Sequence, residues 1–79
     1  MRQVRGSLAV ETANNILIGI FGEAAHRSCR AAYVKNKILA VACLSSVLIE
    51  KIKLKEKEII RTMNRKLGVE EVEKIHFLD

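Results

Sequence analysis

Two histidines and two cysteines are the side chains best suited to bind a soft metal or to act in nucleophilic catalysis. They are His26, Cys29, Cys43 and His76. None of them forms a C-x-x-C or H-x-x-x-H pair, the spacings typical of zinc sites. No third group at a recognisable spacing would orient a Cys–His nucleophile pair. The sequence therefore predicts no metal, no cofactor and no catalytic residue, and Cys43 is interpreted as a small buried apolar side chain.

The segment Gly19–Gly22 has the G-x-x-G form, which in KH domains clamps a nucleic-acid backbone. Its two middle residues are apolar, and no basic residue lies within it. We therefore interpret the segment as a helix-packing feature. Its glycines either let another element approach closely or mark a helix break near Gly22.

Basic residues form a stronger candidate site. The net charge is +5, and the first 43 residues carry six basic and two acidic side chains. The residues expected to form one electropositive rim are Arg2, Arg5, Arg27, Arg30, Lys35 and Lys37. Such a rim would bind the phosphates of DNA or RNA without reading their sequence. The alternative is a solvated edge whose lysines discourage association between sheets.

Two strands and a hairpin must position the middle of this rim. Alternating apolar residues predict a strand over Ile38–Cys43, and Ser28–Lys35 is the strand candidate before it. Asn36 and Lys37 would be the two residues of the hairpin loop. The bulky face, which suits a core, is expected to hold Ala32, Val34, Leu39 and Val41. The small-residue face is expected to hold Cys29, Ala31, Tyr33, Ile38, Ala40 and Ala42.

A long amphipathic helix should follow these strands. After Ser45 and Ser46, either of which can cap it, apolar residues recur at the helical period until Gly68, which suits a C-cap. Glu56 falls within the apolar stripe, so we expect a break near Leu54–Lys57. Four lysines between positions 51 and 57 scatter around the helix and are interpreted as solvated surface.

The remaining elements complete an α+β domain. A first helix capped by Ser7 should begin the fold, and Val72–Leu78 should be its last strand. The residues expected on the buried face of the first helix are Val10, Ala13, Leu17, Ile20, Phe21 and Ala24. We predict one domain over residues 1–79 with the order α-β-β-α-β, in which residues 1–7 are a flexible basic arm. Helices should cover one face of a three-stranded sheet, whose last strand returns parallel to Ile38–Cys43.

Composition limits the setting in which this protein acts. The 79 residues are 49% hydrophobic and include no proline, which favours a small folded domain. Two cysteines are too few for a disulfide framework and fit a reducing compartment. No signal peptide is recognisable, and the longest apolar runs fall short of the about 20 residues that span a bilayer. We expect a cytoplasmic protein with no membrane partner.

Several short motifs, in this order, resemble those of one family. They are Phe21-Gly22-x-x-Ala25-His26-x-Ser28, Leu39-x-Val41-x-Cys43-x-Ser45-Ser46, Leu48, Ile52, Ile59-Ile60-x-x-Met63-Asn64-x-x-Leu67-Gly68 and Val72-x-x-Ile75-x-Phe77. The pattern covers roughly residues 16–78 and is similar to that of the DciA-like family. Its most specific part is Leu39–Gly68.

The resemblance implies a KH-like domain of a bacterial protein that binds the replicative helicase DnaB and helps to place it on DNA. The motif residues carried over are His26, Ser28, Ser45 and Ser46. Family members tend to have tryptophan near the start of the first motif and at the position of Leu48, whereas this sequence contains none. Many members also carry longer basic extensions.

Residues and resemblance together predict a non-enzymatic module that binds DNA, or RNA, through the basic rim and associates with a replicative helicase. The alternative is a protein–protein interaction module, in one form a homodimer, that uses the small-residue face of the sheet. The candidate partner-binding residues of that face are Ala31, Tyr33, Ala40 and Ala42.

Overall fold

The computed structural model describes residues 6–78. Its elements, in chain order, are α1 (Gly6–Phe21), α2 (Glu23–His26), β1 (Cys29–Lys35), β2 (Ile38–Cys43), α3 (Ser46–Leu54), α4 (Glu56–Leu67) and β3 (Lys74–Leu78). The predicted α+β class and the order α-β-β-α-β are confirmed, with a short α2 after the first helix and the long helix divided in two. The KH-like classification stays a prediction.

The three strands form one mixed sheet in the order β1-β2-β3. β1 and β2 are an antiparallel hairpin closed by the pair Lys35 and Ile38, as predicted. Asn36 and Lys37 form its loop, with φ of 52° and 63°. Two left-handed residues are the mark of a type I′ turn, whose twist matches that of the paired strands. β3 lies parallel to β2, which confirms the predicted helical crossover.

A β-bulge at Ala32 changes which residues of β1 face the core. The ladder pairs Tyr33 with Ala40 but Ala31 with Val41, so Ala32 has no direct partner. The predicted faces of three residues are therefore wrong: Cys29 and Ala31 are buried and Ala32 is exposed. The extra residue inverts the alternation in the part of the strand that precedes it.

The predicted break in the long helix is confirmed at Lys55, which separates α3 from α4. Ser45 caps α3, because its hydroxyl accepts a hydrogen bond from the Leu48 amide at 3.2 Å. Gly68 ends α4 in left-handed backbone with φ of 76°. Glycine adopts this conformation without steric cost, so the predicted C-cap is also confirmed.

α1 packs on the sheet through a stripe that differs in part from the predicted one. Its buried residues are Ala9, Ala13, Ile16 and Leu17. Ile20 and Ala24 were predicted on the buried face but are exposed. For Ile20, the buried stripe is centred one residue away from the predicted one. Ala24 belongs to α2. Ser7 is not the N-cap, since the helix already includes Gly6. Of the predicted arm, residues 1–5 lie outside the described residues.

The glycine pair of the G-x-x-G segment marks the end of α1. Gly22 has φ of 89°, and α1 stops at the residue before it. No atom of another element lies within 4 Å of the position that a Cβ would take at Gly19. Of the two interpretations of this segment, the helix break at Gly22 is therefore the one observed.

Two helix side chains accept hydrogen bonds from strand amides that have no hydrogen-bond partner in the sheet ladder. The side-chain oxygen of Asn14 on α1 accepts a hydrogen bond from the Ala31 amide, beside the bulge, at 2.8 Å. Glu56, the acidic residue within the apolar stripe, accepts one from the Ile75 amide of β3 at 2.9 Å. These contacts explain why polar residues lie within the buried faces of both helices.

Asn64 of α4 holds the loop that precedes β3. Its side-chain oxygen accepts hydrogen bonds from the amides of Glu71 and Val72, each at 3.0 Å. Its side-chain nitrogen donates to the Val72 carbonyl at 2.9 Å. One side chain thus satisfies three backbone groups around a buried valine.

One hydrophobic core lies between the helices and one face of the sheet. The largest fully buried side chains are Leu39, Val41, Ile52, Ile59, Met63 and Val72. They come from β2, α3, α4 and the loop before β3. The prediction that helices pack on one face of the sheet is confirmed, and most side chains of the opposite face are exposed.

Candidate nucleic-acid interface

The side of the sheet that the helices leave uncovered collects basic and aromatic side chains. We call this surface the open face; its residues are Arg30, Tyr33, Lys35, Ile38, Ala40, Ala42, Lys74, His76 and Leu78. None of these residues is acidic. Arg30 and Lys35 lie on β1 and Lys74 lies on β3, so cations flank both edges of the sheet, while small residues occupy the central strand.

Tyr33, Ala40 and His76 form a row across the three strands. Tyr33 pairs with Ala40 in the antiparallel ladder, and Ala40 pairs with His76 in the parallel one. Because adjacent strands lie about 4.8 Å apart, the backbones of the two ring residues are about 10 Å apart. Tyr33 is 48% exposed, whereas Ala40 between the rings is 1% exposed. A cavity of about 370 Å³ there is lined by Tyr33, Lys35, Asn36, Ile38, Ala40 and His76.

The predicted basic rim follows β1 instead of gathering at one point. Arg30 and Lys35 lie near the two ends of the strand and both are on the open face. Arg27 is exposed and lies between α2 and β1. The Arg30 side chain turns back toward α2, since its Nε donates to the His26 carbonyl at 3.2 Å. Arg27 and Arg30 are thus close together, and Lys35 is at the far end of the strand.

The other predicted rim residues are placed differently. Lys37, in the hairpin loop, has its Nζ 3.7 Å from the carboxylate of Glu73, and both side chains are exposed. Arg2 and Arg5 lie outside the described residues. Lys74, which the rim prediction omitted, lies opposite Ile38 on the open face. The parallel pairing of β3 with β2 is the signal that could have found it.

The four residues carried over from the family motifs lie where elements join. The His26 carbonyl accepts the Arg30 bond, and the Ser28 carbonyl accepts a hydrogen bond from the Leu44 amide at 2.7 Å, which extends the ladder beyond β1. Ser45 is the cap of α3, and Ser46 is its exposed first residue. These contacts fix the entry to β1 and the start of α3.

The predicted partner-binding set is divided between the two faces of the sheet. Tyr33, Ala40 and Ala42 lie on the open face, as expected. Ala31 lies in the core, because the bulge at Ala32 turns it inward. A partner on the open face would therefore meet Arg30 at this end of β1.

The two cysteines lie opposite each other in the β1–β2 ladder, and both are free thiols. Cys29 was expected on the small-residue face, but the bulge places it in the core. Burial, together with the neighbouring Cys43 thiol, raises the pKa of the Cys29 thiol to about 12. Cys43 is half-buried, and its thiol donates to the Ser45 carbonyl at 3.4 Å. Across residues 6–78, no group of three or more His, Cys, Asp or Glu side chains could hold a metal ion.

A larger polar cavity of about 520 Å³ lies between α1 and α4. It is lined by Asn15, Ile16, Gly19, Ile20, Glu58, Arg61, Thr62, Arg65 and Lys66. Three of these side chains are cationic, and Glu58 lies 3.7 Å from the Nζ of Lys55. None of these three cations was predicted as part of a site. The four-residue spacing of Arg61 and Arg65 is the signal that could have placed them on one face.

Large apolar side chains are exposed on and beside α3. Leu44 is 92% exposed and Leu54 is 87% exposed. Leu54 is the last residue of α3, and Leu44 follows β2, where its amide extends the ladder to Ser28. Among the helices described between residues 6 and 78, none is long and apolar enough to cross a membrane.

The sequence matches a family model over nearly its whole length. That model is described as Dna[CI] antecedent, DciA, and it matches residues 2–77. A search of curated proteins finds no match. The family match confirms the resemblance seen in the sequence motifs. The chain belongs to the DciA family.

Proposed function

We propose that this protein is a non-enzymatic cytoplasmic module that binds DNA through phosphate contacts and acts beside the replicative helicase. Membership of the DciA family implies a role in DNA replication associated with the helicase DnaB. The contact with nucleic acid is the finer part of the proposal. It rests on the charges of the sheet and of the residues at the ends of β1.

One observation carries the nucleic-acid part: the open face holds cations at both edges and no carboxylate. Arg30, Lys35 and Lys74 are exposed, and within residues 6–78 the open face contains no acidic residue. Lysine and arginine that neutralise phosphates release counterions, which gives affinity for any sequence. The open face therefore suits a polyanion.

The rim extends this surface along β1. The ladder partners of Arg30 and Lys35 are four residues apart on β2, so the backbones of the two cations are about 14 Å apart, a distance longer than one nucleotide. Arg27 precedes the strand and adds a cation at that end, whereas Lys37 after the strand has its Nζ 3.7 Å from the Glu73 carboxylate. Because β1 is an edge strand, a bound phosphate chain could follow it without contacting the helices.

The test is a salt titration of binding to a labelled single-stranded oligonucleotide, followed by fluorescence anisotropy. We expect Arg27→Glu together with Arg30→Glu to weaken binding at least about tenfold at low salt, since two phosphate contacts become repulsive. The slope of log affinity against log salt should fall by about 1.4, the value for two lost contacts on a single strand.

A matched control separates a local contact from the effect of net charge. Lys51→Glu together with Lys53→Glu makes the same change in net charge on α3, where both lysines are exposed. We expect this variant to keep most of the affinity and the slope of the parent. Equal losses in the two variants, or no binding by the parent at low salt, would contradict the proposal.

The second candidate is an interaction module that uses the small residues of the open face. Tyr33, Ala40 and Ala42 lie on the open face, where the two alanines leave a shallow surface that a protein could cover. In a symmetric homodimer, however, Arg30 and Lys35 of one copy would approach cations of the other copy. The charge of the open face thus favours a polyanion over a second copy of the chain.

A further inference from the structure

We propose that Tyr33 and His76 form a base-stacking site, so that the ligand of the open face is a single-stranded nucleic acid. This inference rests on the proposed function, because it requires that nucleic acid binds the sheet. It adds a ligand class and a specific contact. Phosphate contacts alone do not distinguish a single strand from a duplex.

The first support is the position of Tyr33 on an edge strand. The residue is 48% exposed, although large aromatic residues usually bury most of their surface. The bulge at Ala32 places Arg30 on the same face of β1 as Tyr33 and Lys35, so that one cation lies on each side of the ring. A base stacked on this ring would therefore have its flanking phosphates near a cation on either side.

The second support is the surface next to the ring. Ala40, the partner of Tyr33 in the ladder, is 1% exposed, so the side chains around it already cover it. The cavity of about 370 Å³ at this place is lined by Tyr33, Ile38 and His76 among others. A base in this cavity would therefore stack on the exposed surface of the ring and would not reach Ala40.

The third support is the distribution of charge around that cavity. Lys35 lines it, and Lys74 lies beside it, opposite Ile38. An aromatic surface surrounded by cations, with no carboxylate among its residues, is the usual chemistry of sites for single-stranded nucleic acid. A duplex keeps its bases stacked inside, so it can use the cations but not the ring.

The protein contains its own reporter for this contact. Tyr33 is the single tyrosine of the chain, and there is no tryptophan. Stacking of a base on the ring should quench the intrinsic tyrosine fluorescence of the full chain. The ligands to compare are oligo-dT, an abasic oligonucleotide of the same length, which has the phosphates without the bases, and a duplex.

We expect oligo-dT to quench tyrosine fluorescence and the abasic strand and the duplex to bind without quenching. Tyr33→Ala should lower the affinity for oligo-dT by about 5- to 100-fold and leave the affinity for the abasic strand unchanged. Tyr33→Phe, which keeps the ring, should bind like the parent, and His76→Ala should show a smaller loss. Since these side chains are exposed, the variants should fold, which circular dichroism would verify.

Each outcome separates this inference from the proposal on which it rests. Binding of oligo-dT and the abasic strand with equal affinity, without quenching, would overturn the stacking site and leave phosphate binding intact. Equal quenching by the duplex would overturn the single-strand assignment. Failure of all three ligands to bind at low salt would overturn both proposals.

Discussion

Polar side chains of α1 and α4 satisfy backbone amides that the sheet and its loops leave without a ladder partner. They are Asn14, Glu56 and Asn64, whose hydrogen bonds to backbone groups are all 3.0 Å or shorter. A buried amide that loses its only partner costs about 1–3 kcal/mol. In a domain this small, such bonds are a large part of the net stability.

Asn64 offers the clearest test at the scale of one residue. Asn64→Ala removes three hydrogen bonds and leaves the amide and carbonyl of the buried Val72 without their partner. We expect the free energy of unfolding to fall by about 2–4 kcal/mol, measured by urea denaturation.

The matched control is Asn15→Ala, which removes the same side chain from an exposed position of α1. It should change the free energy of unfolding by no more than about 0.5 kcal/mol. Equal stability of the two variants would show that the Asn64 bonds contribute little beyond what water supplies in the unfolded chain.

The Cys29 thiol predicts a pH dependence of stability. Its pKa is raised to about 12 in the folded protein, from 9.0 in the free side chain, chiefly by burial. The unfolded chain therefore loses this proton above pH 9 while the folded protein keeps it, so stability should decline as the pH rises from 9 toward 12. Cys29→Ala should lessen that decline in a pH series of urea denaturation curves.

The same thiol should be nearly inert in the native state. In a Cys43→Ala variant, where Cys29 is the remaining cysteine, burial still disfavours the reactive thiolate. We expect alkylation by iodoacetamide at pH 8 to be at least about 100-fold slower in the native than in the denatured protein. Comparable rates would show that the site opens readily or that its thiol has an ordinary pKa.

At the scale of elements, the two glycines at the end of α1 should respond in opposite ways to alanine. Gly19 lies within the helix with open space around it, so Gly19→Ala should stabilise the protein by about 1 kcal/mol through helix propensity. Gly22 has φ of 89° and ψ of 163°, a region nearly restricted to glycine.

We expect Gly22→Ala to destabilise the protein by about 1–3 kcal/mol, although open space surrounds this position as well. Thermal unfolding followed by circular dichroism would give both values, with a higher Tm for Gly19→Ala and a lower one for Gly22→Ala. A rise in Tm for both variants would mean that the chain can leave α1 without a positive φ at residue 22.

The elements that local sequence determines were predicted well. The hairpin follows from a two-residue Asn-Lys loop between apolar runs, and the break at Lys55 follows from the phase of Glu56 in the apolar stripe. The bulge at Ala32 could not be predicted in this way. It lies beside the Ala31 amide, which donates a hydrogen bond to Asn14, 17 residues earlier in the chain.

The candidate site, too, was predicted only where its residues are close together in the sequence. Arg30 and Lys35 were found because both lie on one strand with its hairpin. Lys74 and His76 join them through the pairing of β3 with β2, which brings together residues more than 35 positions apart. Local sequence patterns do not determine the register between distant strands, and composition does not limit the prediction in the same way.

At the scale of the whole molecule, the charge of the open face bears on self-association. A symmetric dimer through this face would place Arg30, Lys35 and Lys74 near cations of the second copy. We expect sedimentation equilibrium at low salt to give the mass of a monomer. A dimer that Tyr33→Glu dissociates would contradict this and favour the interaction-module candidate.

The attachment of β3 has a consequence for how the molecule opens. β3 pairs with β2 alone in the sheet, Glu56 of α4 binds its Ile75 amide, and Asn64 of α4 holds the loop before it. Strand and helix should therefore detach as one cooperative unit, seen as a shared rate of amide hydrogen exchange. A ligand that engages Lys74 on the open face would slow that opening, and the added protection would reach α4 on the far side of the sheet. Ligand binding on the open face would thus change the protection of α4 from hydrogen exchange without any change in the structure.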